Sequence, residues 1–470
     1  MSREALDLRS LAAEKPVHFM GMGGAGMCAL AELVLRHGGR VSGCDAKHGE
    51  ALRDLEALGA TVHIGHDPAH VTNASVLVVT SAVPSDHPEL LAARSAGVPV
   101  VKRARALGDW VASGTVVAVA GTHGKTTTTA MATEILAGVG LDPTGLVGGR
   151  VTGWQSNLRF GSDRLFVVEA DEYDRSFLTL LPDVAIITNV EADHLDIYGD
   201  LAGVKAAFAD FAAGTPADGR IIVCADDHGA SSLLAGLGRS GYTYGTSAGS
   251  MLRATDVSIT ADETKSALYE EGRHVGVLSL QVGGRHNLLN ALAAAAAARA
   301  LEAQWPDILG ALQAFAGVGR RFERLGEHDG VAVVDDYAHH PTEVRATLDA
   351  ARTRFPDRRL VAAFQPHLFS RTRDFATEFG SALALADVVW VTSIFPAREA
   401  PIEGVTGELV AEATRAAGAT QVHYHPDLAT LPDALVAGLQ DGDMLVTMGA
   451  GSIETVGHHV LERMGAGVHA

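Results

Sequence analysis

The sequence predicts an α/β protein of three domains, each wound around a mostly parallel sheet. Three observations lead there. Short runs rich in Val and Ile (VHFM, RVSGCD, VLVVT, VVAVAG, LFVVEAD, VAIITNV, RIIVCAD, VAVVDD, LVAAF, DVVWVT and DMLVTMGAG) alternate with longer Ala/Leu stretches of helical character, the pattern of βαβ units. The 470 residues amount to about three domains at roughly 150 residues each. Two connecting stretches, Trp110 to Thr115 and the Gly-rich Gly317 to Gly326, divide the chain into residues 1–112, 113–318 and 319–470. Between Gly241 and Gly284 the sequence turns polar and short-stranded, which predicts an antiparallel edge.

Composition excludes several functions. With 47% hydrophobic and 20% charged residues the chain is not mainly disordered. Its 37 Lys and Arg against 56 Asp and Glu leave a net charge of −19, which opposes non-specific binding of nucleic acid or anionic lipid. The Ala-rich run after Asn290 is broken by Arg299 and Glu302, so no membrane span is expected. Three cysteines, Cys28, Cys44 and Cys224, without a CxxC spacing fit a reducing cytoplasm rather than a disulfide framework, and the N-terminus lacks the apolar core of a signal peptide. The 52 glycines are the unusual feature, and their positions decide their meaning.

In chain order, the strand VHFM runs into Gly21-Met22-Gly23-Gly24-Ala25-Gly26 and a helix, and Asp45 closes the next strand about 20 residues on. A glycine turn at a helix N-terminus lets backbone amides approach a diphosphate and aims the positive end of the helix dipole at it. With Asp45 on a ribose, the turn suits NAD or a UDP group, and the motif does not separate them. The strand VVAVA runs into Gly121-Thr122-His123-Gly124-Lys125-Thr126-Thr127 and a second helix. That geometry predicts a P-loop for ATP, with Lys125 on the β- and γ-phosphates and the Thr126 hydroxyl on Mg²⁺. It departs from the long Walker pattern, since Val119 rather than Gly stands five positions before Gly124. Glu169 closes LFVVEAD, and His194 sits in TNVEADHLD after another strand. Strand-end positions bring both toward Lys125, where a carboxylate, an imidazole and phosphate oxygens suit Mg²⁺ or Mn²⁺. Glu191, Asp193 and Asp196 in the same stretch read as capping or solvated groups.

The ordered set GTHGKTTTT, VVEADEYDRSF, TNVEADHLD, GRHNLLNALAA, GVGRRFE, VVDDYAHHPTEV, FQPHLFSRTRDF and PAREAPIEGV resembles the Mur ligase family, from Val17 to Gly451. GMGGAGM, DDYAHHPTEV and FQPHLFSRTRD point to its alanine-adding branch. The resemblance implies a Rossmann-like UDP-binding domain, a central P-loop ATPase domain with a parallel sheet, and a C-terminal Rossmann-like domain for the amino acid. It implies ATP-dependent amide formation, in which the lactyl carboxylate of UDP-N-acetylmuramate becomes an acyl phosphate and L-alanine displaces phosphate, for peptidoglycan synthesis.

The resemblance also assigns roles. Lys125 and Thr126 hold phosphate and magnesium, with Glu169 and His194 on magnesium near the acceptor carboxylate. Asn287 and Asn290 take the adenine side, Arg321 reaches phosphate from the hinge, and Asp336 with His339 contact ribose and phosphate. Gly23, Gly24, Ala25 and Gly26 face the UDP diphosphate with Ser81 beside them, which demotes NAD. Tyr337, His367, Arg371 and Arg373 are candidates for gripping the alanine carboxylate, because Arg binds carboxylate in two-pronged fashion, and Arg371 ranks ahead of Arg373. Lys205 lies only eleven residues after His194, closer than the carbamylated lysine of several relatives, and Leu368 stands where related sequences often carry a basic residue. Rival readings are a ligase that attaches a whole tripeptide to the same nucleotide, an NAD-binding oxidoreductase, and an ATP-driven switch. The sequence leaves monomer and homodimer both open.

Overall fold

The computed structural model describes residues 7–260, 263–397 and 399–465, so Arg398 of PAREAPIEGV lies outside the described residues. The first sheet comprises β1 (Val17–Met20), β2 (Val41–Asp45), β3 (Thr61–Ile64), β4 (Val76–Val79) and β5 (Val100–Lys102), ordered β3-β2-β1-β4-β5 with every pairing parallel. Strand order reverses between β1 and β4, which opens a crevice beyond their C-terminal ends. The glycine turn follows β1 and Ser81 follows β4, so both border that crevice. Every residue of β1 and β4 is buried, as expected of strands covered on both faces, with His18 the one polar residue among them.

The second sheet contains β6 (Thr115–Ala120), β7 (Thr144–Leu146), β8 (Leu158–Arg159), β9 (Leu165–Glu169), β10 (Val184–Ile187), β11 (Arg220–Cys224), β12 (Tyr242–Gly245), β13 (Leu252–Ile259), β14 (Thr264–Glu270) and β15 (Arg273–Leu280). Its order is β15-β14-β13-β12-β11-β10-β6-β9-β7-β8. β6 runs parallel to β9 on one side and β10 on the other, so segments distant in sequence finish beside the end of β6. The expected antiparallel edge is present. β14 and β15 are joined by only Glu271 and Gly272, at φ +50° and +80°, a two-residue turn that antiparallel neighbours alone accept. A second antiparallel pair, β7 with β8, closes the other edge and was not anticipated.

The third sheet contains β16 (Glu323–His328), β17 (Val331–Asp336), β18 (Arg359–Phe364), β19 (Val388–Val391), β20 (Val422–Tyr424) and β21 (Asp443–Met448), ordered β16-β17-β21-β18-β19-β20, parallel except for β16. Two compact units result. The first two sheets share one, made of residues up to Val257, Lys265–Leu280 and Asn287–Ala316; the third sheet forms the other with Ser258–Thr264 and Gln281–His286.

Packing explains the sequence's alanine run. In the helix Arg285–Ala300, Ala291 to Ala298 are all buried, because a methyl side chain lets neighbours approach a helix from every side. Among the described residues no helix is long and apolar enough to cross a membrane. Elsewhere in that unit Phe177 stacks on Phe211 and meets Phe208 edge-on, both at 5.1 Å, which fastens the segment after β9 to the helix Leu201–Ala213.

His286 is half-buried in the third-sheet unit. Burial drives its imidazole down to about 4, Arg321 and Arg354 push the same way, and Glu343 opposes them. Between pH 6.5 and 4 the unfolded chain therefore binds a proton that the folded chain refuses, so stability is present in full above 6.5 and declines as pH falls toward 4. The loss attributable to this group is on the order of 3 kcal/mol. Urea unfolding at pH 7 and pH 4.5 should show the decline shrink in His286→Asn; an undiminished decline refutes this origin.

Candidate active site

The phosphate-binding loop follows β6 and opens the helix Lys125–Gly138. Gly121 (φ +146°) and Gly124 (φ +79°) hold backbone angles that L side chains rarely adopt, and a Cβ at either would collide with Thr188 or Asn290. The loop is tied down from the end of β10. His123 N donates to Asn189 Oδ1 (2.7 Å), while Asn189 Nδ2 and Thr188 Oγ1 donate to the His123 carbonyl (3.1 and 2.6 Å). Glu191 N donates to Thr122 Oγ1 (2.9 Å), and the Glu191 carboxylate lies 3.4 Å from His123 Nε2. Thr127 is buried behind the loop.

Lys125 Nζ donates to the carbonyls of Gly121 (2.6 Å) and Thr122 (3.0 Å) and pairs with Glu172 at 2.8 Å. Burial works against its charge, yet Glu172, with Asp171 and Glu169, holds the ammonium above its ordinary range. Burial likewise pushes Glu172 up to about 7, although Lys125 pulls it down. Thr126 Oγ1 donates to Glu169 Oε1 (3.0 Å), and Glu169 Oε2 accepts from Gly148 N (2.6 Å). His194, in the left-handed region at φ +51°, places Nε2 3.8 Å from Glu172 and from Asp193. The ligand atoms of Glu172, Asp193 and His194 lie within 4.8 Å of one another. Two donor groups thus adjoin Lys125: Thr126 with Glu169, and His194 with Glu172 and Asp193. Asp193 Oδ1 accepts from His194 N (2.7 Å), and its carboxylate joins this cluster.

The glycine turn faces the same region. Asp45 Oδ2 accepts from Gly23 N (2.9 Å), so that carboxylate shapes the turn. Gly24, Ala25 and Gly26 line a cleft of about 220 Å³ whose other walls include Thr80, Arg103, Gly148, Glu169 and Asp171. A Cβ at Gly26 would stand 2.8 Å from Arg103 Nη1, so the guanidinium lies against the turn. Ser81 and Lys102 both bond Asp174. Asn287 and Asn290 are buried on one helix face, joined at 3.4 Å, with Asn290 against Gly124.

In the third-sheet unit, Asp336 at the end of β17 accepts from Phe322 N (2.7 Å) and Ala338 N (2.8 Å). Burial raises its carboxyl to about 6 against the pull of Arg321. Arg321 lies over the Tyr337 ring at 5.2 Å and 3.8 Å from Glu343. His339 Nδ1 sits 2.9 Å from the Tyr337 carbonyl and 3.2 Å from Glu343, and its ring meets Tyr337 and His367 edge-on. His367 stacks on Phe395 and lies 3.4 Å from Arg371. Arg371 is buried, whereas Arg373 turns outward onto Asp374 and does not join this group. Leu368, also buried, holds φ +70° with its N–H on the Phe395 carbonyl.

Sequence reasoning missed Glu172, Asn189 and Arg103. Glu172 stood three residues after Glu169 in the quoted VVEADEYDRSF, and that spacing was its only signal.

Three family descriptions match the chain in order: "Mur ligase family, catalytic domain" over residues 16–115, "Mur ligase middle domain" over 119–298, and "Mur ligase, glutamate ligase domain" over 320–451. A UDP-N-acetylmuramate–L-alanine ligase of Renibacterium salmoninarum is 46% identical over 455 residues, 95% of this chain and 96% of that protein. One of Salinibacter ruber is 44% identical over 440 residues, 93% of each. The crystal structure of a UDP-N-acetylmuramate-alanine ligase from Thermotoga maritima superposes with a TM-score of 0.82 at 30% identity, covering 96% of this chain and all of that one. A murein peptide ligase from Psychrobacter arcticus gives 0.71 at 27%, covering 97% of this chain and all of that one. Matched along nearly its whole length by successive family domains and by full-length relatives, the chain belongs to the Mur ligase family.

Proposed function

We propose that the chain is an ATP-dependent ligase that joins L-alanine to the lactyl carboxylate of UDP-N-acetylmuramate through an acyl phosphate, releasing ADP and phosphate. The observation that carries this reading is the cleft running from the glycine turn to Glu169, beside the Lys125 loop. An acceptor whose diphosphate rests on Gly23 to Gly26 reaches along it toward the phosphate-binding loop. The relatives' shared name supports the choice of alanine. In this reading residues 1–112 take the UDP substrate, 113–318 take ATP, and 319–470 take the amino acid.

Roles follow from chemistry. Lys125 exchanges Glu172 for phosphate oxygens, and Glu172, pushed up by burial, is able to hold a proton once Lys125 has left it. Amides of the loop and Lys125 steady charge that develops on the transferred phosphoryl group. Thr126, Glu169 and His194 are the proposed ligands of Mg²⁺ or Mn²⁺, with Asp193 beside them. Oxygen donors with one imidazole fit such an ion, which when bound neutralises phosphate charge. Arg103 is proposed to counter the UDP diphosphate, and Asp45 to brace the turn with Ser81 nearby. Asn287, Asn290, Arg321, Asp336 and His339 are proposed for ATP; Tyr337, His367 and Arg371 for the alanine carboxylate.

Phosphate release should require UDP-N-acetylmuramate, rise with L-alanine and ignore D-glutamate. Equal use of the tripeptide favours the recycling ligase, and equal turnover without the nucleotide substrate overturns the assignment. Lys125→Ala should lower kcat by at least about a hundredfold with an unchanged circular dichroism spectrum; retained turnover refutes the loop's role. Arg103→Ala should raise KM for the UDP substrate about tenfold, the worth of about 1.4 kcal/mol, while KM for ATP stays put. A KM increase for ATP instead would relocate Arg103 to the other substrate.

A further inference from the structure

The first sheet carries a second cluster, on the face covered by the turn Pro68–Val71 and the helix Pro88–Ser95. Parallel pairing sets His18 opposite Ser42 and Cys44 opposite His63, and residues two apart on a strand share a face, so these four side chains lie on one side of β1, β2 and β3. The turn brings His70 onto that face and the helix brings Glu89.

Glu89 is completely buried. Its Oε1 lies 3.2 Å from His70 Nδ1 and accepts from Asp67 N (3.0 Å), while Oε2 lies 3.2 Å from His66 Nδ1. Cys44 Sγ stands 3.4 Å from both carboxylate oxygens. His18 is also completely buried. Its Nδ1 is 2.9 Å from Ser42 Oγ, and its Nε2 has no hydrogen-bond partner. Ligand atoms of His18, Cys44, His70 and Glu89 fall within 4.8 Å of one another.

We propose that His18, Cys44, His70 and Glu89 form a binding site for one divalent transition-metal ion of the Zn²⁺ class. Four observations converge on it. A thiol, two imidazoles and one carboxylate are the donor types such an ion selects in tetrahedral geometry at about 2.0–2.3 Å, whereas Mg²⁺ and Ca²⁺ favour oxygen. The Ser42 hydroxyl on Nδ1 is an outer partner able to accept from Nδ1–H, the tautomer that leaves the Nε2 lone pair for a metal. The orphaned buried Nε2 of His18 is costly, and a cation beside the buried Glu89 carboxylate satisfies it. Half-buried His70 and more exposed His66 leave an entry path. Binding releases the Cys44 thiol proton to solvent, so affinity rises with pH. The ion would join β1, β2, the turn and the helix, and fix Cys44 next to Asp45, which braces the glycine turn.

The test is titration of the chelator-stripped full chain with Co²⁺. The absorption band of charge transfer from thiolate to Co²⁺ should appear, saturate at one equivalent and vanish on adding Zn²⁺. The Glu172, Asp193 and His194 group contains no sulfur, so Co²⁺ there cannot produce this band. Cys44→Ser should abolish it and Cys28→Ser should not. His70→Gln, at the open side where folding is least at risk, should weaken Co²⁺ binding by at least about tenfold. Absence of the band in the parent chain, its survival in Cys44→Ser, or unchanged affinity in His70→Gln would overturn the site.

Discussion

An ammonium largely withdrawn from water must be paired, and the placing of Lys125 organises everything around it. Its nitrogen collects two carbonyls of its own loop and the Glu172 carboxylate, which arrives from beyond β9. Glu172 in turn neighbours His194 from beyond β10, and its carbonyl accepts from Tyr198 of the following turn. One ion pair therefore draws together the segments following β6, β9 and β10. Sheet order makes this feasible, because β6 lies between the other two strands. The absence of side chains at Gly121 and Gly124 makes it compact, because Thr188 and Asn290 occupy the space a Cβ needs.

The architecture was largely legible because its signals are local. A Val/Ile run followed by glycine and a helix announces itself within about ten residues, and both glycine clusters sit where that pattern puts them. Glu169 and Thr126 were legible for the same reason, one closing a strand and the other opening a helix. Residues whose partners arrive from far along the chain were not. Arg103 is one charge among several in KRARAL until folding sets its guanidinium against Gly26, 77 residues earlier in the chain. Asn189 is an ordinary polar residue until its side chain clasps His123, 66 residues away.

Arg371 and Arg373 show how far local geometry reaches. Two residues apart on a helix, they point about 200° around the axis from each other, so only one can face inward. Helical periodicity excludes a shared role for the pair, but which of them turns inward depends on what covers the helix. Packing selects Arg371, leaving Arg373 to pair with the adjacent Asp374.

The net charge of −19 does not by itself describe the cleft. Around Lys125 lie Glu169, Asp171 and Glu172, with Asp193 next to Glu172, so acidic groups outnumber the single ammonium. Interactions at such short range in a partly dehydrated cleft are far stronger than those spread over the outer surface. A polyanionic nucleotide meets this group favourably only if positive charge arrives with it or a carboxyl gives up its charge. The proposed function provides for both, through a divalent cation carried with the nucleotide and through Glu172, which burial has already raised to about 7. The excess of carboxylates beside the phosphate-binding loop thus becomes a reason for the site to discriminate between a cation-bound nucleotide and a bare one.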